Sequence, residues 1–379
     1  MKFAVITHVP HVVTENYYYA YAPYVREMNV WSKYVSELIL VAPEISGPVS
    51  PIDRSYEHHG IQFVKIDSFD VLRLKSIFRA VLKIPRISWR IYTAMKKADH
   101  IHLRCPGNIG LLGCLIQILF PNTPKTAKYA GNWDPKSKQS WTYKLQQLIL
   151  ENRYLTRNMQ VLVYGEWEGS SKNIKPFFTA TYYEIDKLPI SKKDLTGRID
   201  FVFAGTLVKG KNPLYAIQLI AILFQKGYDV TLALYGEGVE RNALEQYIVQ
   251  NNLNKIISLK GNQSEETVKK AYQNSHFVLL SSDSEGWPKV IAEGMFWGCI
   301  PVATSVSCVP FMLDYGERGV LLEMNLEEDS LQIETLLRSQ IDFDTKRNKA
   351  AQWSRGYTLD VFEQEIEKLL KGSQYNFLN

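Results

Sequence analysis

Residues 278–299, VLLSSDSEGWPKVIAEGMFWGC, decide the fold of the C-terminal half of the chain. The apolar run at their start predicts a buried strand over 277–281, and a Ser/Asp-rich turn follows it directly. Pro288 stands where a helix can begin, because proline is tolerated at the first helical position. The stretch therefore predicts a strand, a loop and a helix, which is the repeating unit of a parallel sheet covered by helices.

The same stretch places two carboxylates beside a helix N-terminus. Glu285 and Gly286 lie in the loop, and Glu293 lies one to two turns into the helix. Free N–H groups and the positive end of the helix dipole can hold a diphosphate without metal, and Gly286 lets the backbone approach it closely. Carboxylates accept hydrogen bonds from hydroxyl groups, so Glu285 can bind a sugar and Glu293 a ribose diol. A surface ion pair is the alternative for Glu293.

Strand and helix patterns alternate along both halves of the chain, which predicts two doubly wound α/β domains. Residues 182–198 are polar and turn-rich, and we place an interdomain linker there. A long helix is expected after the strand at 61–66, with Pro85 bending or breaking it. Further strands are predicted over 3–9, 38–42, 101–104, 126–130, 160–163, 199–204, 229–235, 256–260 and 300–304.

Composition and charge restrict the class of protein. A chain of 379 residues suits two domains, and a net charge of +5 is too mild for a dedicated nucleic-acid binder. The longest apolar run, residues 110–120, is too short to span a bilayer, and the N-terminus lacks the apolar core of a signal peptide. We expect a cytoplasmic protein, at most peripheral on the inner face of the membrane.

A basic segment between positions 71 and 100 has two interpretations. It contains eight Lys or Arg residues but one acid, Asp99, and the aromatic residues Phe78, Trp89 and Tyr92 are interleaved. A basic helix with aromatic residues can lie on an anionic membrane surface. The alternative is a solvated helix face whose apolar residues cover the core.

Three further patterns carry little chemistry. The cysteines form no CxxC pair and are expected to be reduced and buried, and no His/Cys cluster has metal-ligand spacing. The DFD at 342–344 has the spacing of a metal-binding D-x-D but lies in a polar connection, where we predict a solvated turn. The GEG at 236–238 lacks the third glycine of a dinucleotide-binding fingerprint. The cysteines are Cys105, Cys114, Cys299 and Cys308.

The segment EGWPKVIAE resembles the E-x7-E element of retaining glycosyltransferases of family 4. The flanking sequences YGEGVER (235–241), LKGNQSEETVKKAYQNS (259–275) and GCIPVATSVSCVP (298–310) support the resemblance across the second domain. HIHLRCPGNIG and the opening strand extend it more weakly into the first. The resemblance implies a GT-B fold, with two Rossmann-like, doubly wound domains facing a cleft. It implies an acceptor-side domain over 1–185, to which the last helix, 358–372, returns, and a donor-binding domain over 198–350.

The resemblance also assigns roles in the second domain. Glu285 is implied to be catalytic at the donor sugar, and Glu293 to hold the ribose. The family has a glycine turn with Arg and Lys that clamps the phosphates, and this chain reads AGTLVKGKNP there, with Thr206 in the place of the arginine. Lys209 or Lys289 can compensate for that departure. The implied donor-binding set is Gly205, Thr206, Lys211, Gly286, Trp287, Pro288, Lys289 and Glu293.

The first domain is implied to bind the acceptor. The loop after the first strand departs from the family's Gly-Gly pattern, and His8, His11, Asn16 and Arg26 are candidates there. His102 and Arg104 are expected at the end of a strand that opens onto the cleft, with His102 as a second catalytic residue and a core histidine as its alternative. YAGNWDP, which contains Asn132, is expected to line the same cleft.

The implied activity is transfer of a hexose from a nucleotide-sugar to an acceptor hydroxyl with retention of configuration, in polysaccharide or glycoconjugate synthesis. A UDP- or GDP-sugar is the expected donor, with no metal or other cofactor, and a saccharide or lipid-linked molecule is the expected acceptor. One alternative is a nucleotide-sugar epimerase or hydrolase on the same fold. Another is an inactive partner subunit, which Thr206 favours.

Overall fold

A computed structural model describes residues 1–15, 17–50, 52–68 and 74–375, with the backbone alone for 74–81 and 373–375. The chain divides into two compact units. The first contains Met1–Phe178 and the chain from Glu363 onward, and the second contains Thr179–Phe362. Asn16, one of the acceptor-side candidates, lies outside the described residues.

The first unit contains a parallel sheet and a small antiparallel sheet. Its helices are α1 (Ala22–Ser32), α2 (Leu74–Lys97), α3 (Asn108–Ile116) and α4 (Trp141–Glu151). Its strands are β1 (Lys2–Ile6), β2 (Val12–Val13), β3 (Tyr18–Tyr21), β4 (Glu37–Pro43), β5 (Asp53–Ser55), β6 (Ile61–Ile66), β7 (His100–Cys105), β8 (Lys125–Tyr129), β9 (Met159–Tyr164) and β10 (Ile174–Phe177).

The second unit repeats the alternation of strands and helices. Its strands are β11 (Ile199–Ala204), β12 (Val230–Tyr235), β13 (Ile257–Gly261), β14 (Phe277–Leu280), β15 (Ile300–Thr304) and β16 (Val320–Leu322). Its helices are α5 (Pro213–Gln225), α6 (Arg241–Gln250), α7 (Glu265–Asn274), α8 (Lys289–Phe296), α9 (Val309–Met312), α10 (Leu326–Leu337) and α11 (Gln340–Ser354). The last helix, α12 (Leu359–Tyr375), belongs to the first unit from Glu363 onward.

Both large sheets are parallel and doubly wound, as the alternation predicts. The strand order is β10-β9-β8-β7-β1-β4-β6 in the first unit and β13-β12-β11-β14-β15-β16 in the second. The order reverses between β1 and β7 and between β11 and β14, which makes a crevice at the carboxyl ends of each pair. Helices on both faces bury the central strands, so these strands carry nearly continuous apolar runs.

The tyrosine-rich strand β3 belongs to a small sheet that the strand predictions omit. β3 pairs antiparallel with β2 and β5, and Tyr18 stacks on Phe63 with ring centroids 5.5 Å apart. These strands are two to four residues long, so their alternation is too short to stand out in the sequence.

Two local predictions about chain breaks differ from the structure. The segment 182–198 does not separate the two units but lies inside the second. Tyr182 is buried against the rings of Phe296 and Trp297, and the buried Lys193 Nζ donates to the Ser275 carbonyl. Pro85 does not break α2, which runs without interruption from Leu74 to Lys97 because its inner face is held in the core.

The DFD segment is helical, and the prediction of a solvated turn there is wrong. Ser339 caps α11 by accepting from the Asp342 N–H at 3.2 Å. Phe343 is completely buried and packs on Phe277, with ring centroids 5.6 Å apart. Burial of one apolar side chain between two polar ones fixes the helix at this position. The four cysteines are free and buried, as expected.

Candidate active site

Lys211 and Glu285 meet at the crevice of the second sheet. Lys211 follows β11 and Glu285 follows β14, the two neighbouring strands between which the strand order reverses. The Lys211 ammonium donates to Glu285 Oε1 in a close ion pair. The Glu285 side chain is 11% exposed and that of Lys211 is 30% exposed, so a ligand can reach both charges from the same side of the sheet.

A hydrogen-bond network fixes the two loops that carry this pair. Asn212 Nδ2 donates to the Ser281 carbonyl at 3.0 Å and to Asp283 Oδ1 at 2.5 Å. Ser281 Oγ lies 3.0 Å from the Lys211 carbonyl and 2.8 Å from the Asn212 carbonyl, and the Asp283 N–H donates to Gly210. Because these bonds use backbone groups and short side chains, they hold the two loops together without the Lys211–Glu285 ion pair.

The two glycines of the GEG segment at 236–238 allow close packing against the Gly205 loop. A Cβ on Gly236 would lie 1.9 Å from the Gly205 carbonyl oxygen, and a Cβ on Gly238 would lie 2.2 Å from that of Leu207. Gly236 also has a φ of +136°, which L-residues rarely adopt. These glycines therefore allow the loop after β12 to pack against the loop after β11. Thr206, in the loop after β11, is exposed.

The large side chain of the loop before α8 faces inward. Trp287 is buried and lies near the rings of Trp353 and Tyr357, at centroid distances of 6.0 and 5.5 Å. Cys308 Sγ donates to the Gly286 carbonyl at 3.0 Å, and burial raises the pKa of this thiol to about 12, which keeps it a donor. Pro288 caps α8, and Lys289 is its first residue.

Glu293 accepts hydrogen bonds from two hydroxyl groups of its own unit. Oε1 accepts from Thr181 Oγ1 at 2.7 Å, and Oε2 lies 3.3 Å from the Tyr272 hydroxyl. Burial, and secondarily the Glu293 charge, raise the pKa of Tyr272 well above its usual value, so the phenol remains a donor. A carboxylate has about four acceptor positions, so Glu293 can still accept from a diol.

In the first unit, two histidines proposed from the sequence lie in the interior. His102 is completely buried between Phe3 and Trp31, and its Nδ1 contacts Thr126 Oγ1 at 2.8 Å. Burial lowers its pKa well below the usual value. The expectation that His102 opens onto a ligand site is corrected, because its side chain points into the core.

His11 is also completely buried. Its Nδ1 contacts the Val9 carbonyl at 2.8 Å, its Nε2 contacts the Tyr56 hydroxyl at 3.0 Å, and burial lowers its pKa to about 4. Both ring nitrogens are engaged, so the structure places His11 among the packing residues rather than at a ligand surface.

His8 and Arg104 lie at the crevice of the first sheet. His8 follows β1 and Arg104 lies near the end of β7, the strands between which the order reverses. His8 is exposed, and its ring contacts Gly107, where a Cβ would lie 2.9 Å from Nδ1. Packing around the imidazole and the Arg104 charge lower the pKa of His8. The sequence alone does not distinguish His8 from the neighbouring candidates, because only the strand order places it at the crevice.

Arg104 and Asn132 have internal partners. The Arg104 guanidinium is buried and donates to both carboxylate oxygens of Glu27, at 2.5 and 3.5 Å. Asn132, in the loop after β8, accepts from the Asp134 N–H at 2.9 Å through its side chain. Arg104 thus stabilises the crevice floor, and Asn132 shapes a turn at the same sheet edge.

The described residues contain no group of three or more His, Cys, Asp or Glu side chains placed to hold a metal ion. Among the same residues, no helix has the length and apolar character needed to cross a bilayer.

Residues 185–355 match the family model for glycosyl transferases group 1. An uncharacterized glycosyltransferase from Methanocaldococcus jannaschii is 30% identical over 128 residues, which are 34% of this chain and 35% of that protein. The GtfA subunit of a UDP-N-acetylglucosamine–peptide N-acetylglucosaminyltransferase from Limosilactobacillus reuteri is 25% identical over 134 residues, 35% of this chain and 24% of that protein. The matched region thus spans about a quarter to a third of these curated relatives.

Solved structures resemble the whole chain. HepE from Anabaena, crystallised with UDP and glucose, has a TM-score of 0.70 at 15% identity and covers 98% of this chain and 99% of its own. Sucrose-phosphate synthase from Thermosynechococcus elongatus has a TM-score of 0.68 at 14% identity and covers 98% of each chain. These matches confirm the predicted fold, two Rossmann-like domains of the GT-B class.

Proposed function

We propose that this chain is a retaining glycosyltransferase that moves a sugar from a UDP-sugar to an acceptor hydroxyl. The observation that carries the proposal is the Lys211–Glu285 pair at the crevice of the second sheet, beside the N-terminus of α8. Ligands of doubly wound sheets bind at this place, and a cation, a carboxylate and the positive end of a helix dipole suit a diphosphate-linked sugar. UDP is chosen over GDP because HepE and the GtfA subunit are described with UDP or a UDP-sugar.

In this proposal the second unit binds the donor. Lys211 exchanges Glu285 for the diphosphate, while Glu285 accepts from the sugar hydroxyls and Glu293 from the ribose. Gly205, Thr206 and Lys289, together with the backbone from Gly286 to Pro288, line the pocket. The bond from the anomeric carbon to the phosphate oxygen breaks, and Lys211 and the helix N-terminus stabilise the departing charge.

The first unit binds the acceptor in this proposal, with His8, Arg104 and Asn132 at the carboxyl edge of its sheet. A saccharide or lipid-linked hydroxyl attacks from the face that the phosphate leaves, and its proton passes to a departing phosphate oxygen. The new bond then has the configuration of the old one. Neither His11 nor His102 is assigned a step, because both are buried.

Nucleotide binding tests the donor site directly. UDP is expected to raise the unfolding midpoint more than GDP, ADP or CMP, and equally in EDTA and in magnesium. Saturation at about 100 times Kd contributes about 2.7 kcal/mol to stability, which is a shift of several degrees. Absence of any shift would favour an inactive partner subunit. Donor consumption without an acceptor would favour the epimerase or hydrolase, and a product of inverted anomeric configuration in NMR spectra would refute retention.

We also propose that α2 holds the protein on an anionic membrane, where a lipid-linked acceptor would lie. Ile87, Ile91 and Met95 cover the core, whereas Leu82 and Trp89 are 69% and 66% exposed. Basic residues near an anionic surface contribute about 1 kcal/mol each, and tryptophan favours the interface.

Vesicle binding tests this part of the proposal. The protein is expected to float with phosphatidylglycerol vesicles at low salt, and Trp89→Ala is expected to reduce the bound fraction several-fold. Trp141→Ala, which removes a tryptophan 70% exposed outside α2, is the matched control. Equal losses of vesicle binding in the two variants, or no binding by the unmodified protein, would refute the proposed role of α2 at the membrane.

A further inference from the structure

A cavity of about 860 Å³ lies at the amino-terminal edge of the first sheet, away from the crevice at its carboxyl edge. Lys125 is the first residue of β8 and Met159 is the first residue of β9, and both line the cavity. The turn from Arg153 to Asn158, which precedes β9, forms much of the wall. The proposed transfer chemistry uses none of these residues.

The cavity carries positive charge without a counter-charge. Lys125, Arg153, Arg157 and Lys172 line it, and none of the described residues that line it is acidic. Arg153, Arg157 and Lys172 are exposed, and within the described chain none of the three forms an ion pair. Cations lining a concave surface of low dielectric focus the electrostatic field and attract anions.

Lys125 places one of these charges in the wall itself. The residue is 2% exposed, and its ammonium donates to the Phe120 carbonyl. Burial lowers its pKa to about 8, so a nearby anion would stabilise the charged form. This lysine thus gives the cavity a cationic group that is bonded to a backbone carbonyl, whereas the other three cationic side chains are exposed.

The neutral groups of the cavity suit a carbohydrate. Asn122 and Gln160 are exposed and offer amide donors and acceptors to hydroxyl groups. Tyr154 is 84% exposed, and its ring offers an apolar face with a polar end. A membrane surface fits less well, because these groups line a concavity and the exposed apolar side chains of α2 do not line it.

We propose that this cavity binds an acidic oligosaccharide through its repeating anionic groups. The inference rests on the proposed function in one respect, namely that the oligosaccharide is part of the acceptor or of the product chain. The cavity would then hold a growing acidic glycan at a distance from the transfer crevice of the first sheet. Binding to the cavity itself needs no donor and can be measured separately.

Calorimetry with a tetrasaccharide of α-1,4-galacturonic acid, without donor, tests the proposal. Maltotetraose is the neutral control, and inorganic tripolyphosphate is the anion without sugar. The double variant Arg153→Gln/Arg157→Gln is compared with Lys255→Gln/Lys270→Gln, which removes two exposed lysines of the second unit and changes the net charge equally. The pKa of Lys125, followed by NMR of labelled lysine, gives a second readout at the site.

Binding of the galacturonate but not of maltotetraose is expected, with a rise in the pKa of Lys125. Arg153→Gln/Arg157→Gln is expected to weaken galacturonate binding about tenfold or more, because charged hydrogen bonds are lost. Tyr154→Ala is expected to weaken the same binding several-fold. Equal weakening in the lysine control, or tripolyphosphate binding as tight as the galacturonate, would overturn the proposal. Galacturonate binding without any UDP effect would refute the proposed transfer and leave this inference intact.

Discussion

The variant Glu285→Gln is expected to lower kcat of sugar transfer by about 100- to 1,000-fold, the usual effect of removing one preorganised electrostatic group. Glutamine keeps the shape of the side chain but cannot stabilise positive charge that develops at the anomeric carbon. Folding should persist, because Lys211 is 30% exposed and can be hydrated when its partner is neutral. Initial rates with a UDP-sugar and acceptor, together with the unfolding midpoint, measure both effects.

A matched control separates the role of Glu285 from a general loss of negative charge. Glu266 is exposed on α7 of the same unit, and Glu266→Gln should leave kcat unchanged. Full activity of Glu285→Gln would remove this residue from the proposed chemistry. Loss of activity with an equal loss of folded protein would instead show that the ion pair has a structural role.

The variant Lys211→Ala is expected to weaken UDP binding about 10- to 100-fold, which corresponds to one lost charged hydrogen bond. It should also lower kcat, because Lys211 is proposed to stabilise the diphosphate as it departs and its charge grows. Asn212 and Ser281 hold the loop through bonds that do not involve the Lys211 side chain. UDP affinity by calorimetry and kcat from initial rates give the two effects separately.

Lys209→Ala is the control for Lys211. Lys209 is exposed two residues earlier in the same turn, and its removal should change UDP affinity less than threefold. If Lys209→Ala and Lys211→Ala are equally impaired, the phosphate clamp includes both lysines and compensates for Thr206. If neither is impaired, the crevice of the second sheet does not bind a diphosphate. The double variant Lys211→Ala/Glu285→Gln should show a non-additive loss, since the two side chains are in contact.

The sequence predicts elements well where one pattern dominates a segment. The stretch 277–296 contains a strand, a loop and a helix in the structure, with Pro288 at the helix start. The last helix, expected over 358–372, is also present as α12, and its Phe362, Ile366 and Leu370 are buried. These elements depend on side-chain periodicity and backbone restrictions, which act over a few residues.

The sequence does not predict features that depend on packing between residues far apart in the chain. The polar segment around Phe343 is helical because the Phe343 ring is buried in the core. His102 is a core residue because Phe3 and Trp31, far from it in the chain, enclose it. The cationic cavity joins residues from Pro121 to Gly372, and no local pattern marks them as neighbours.

The sequence by itself determined the alternation of strands and helices, the two doubly wound domains and the residue types of the candidate donor site. Only the tertiary structure decided which of these residues meet. Lys211 and Glu285 are 74 positions apart, and they form an ion pair because β11 and β14 are neighbours in the sheet. Strand order is set by which helices and strands bury one another. That burial depends on the whole packed unit, whereas the periodicity of apolar residues in a strand or helix is a property of each segment alone.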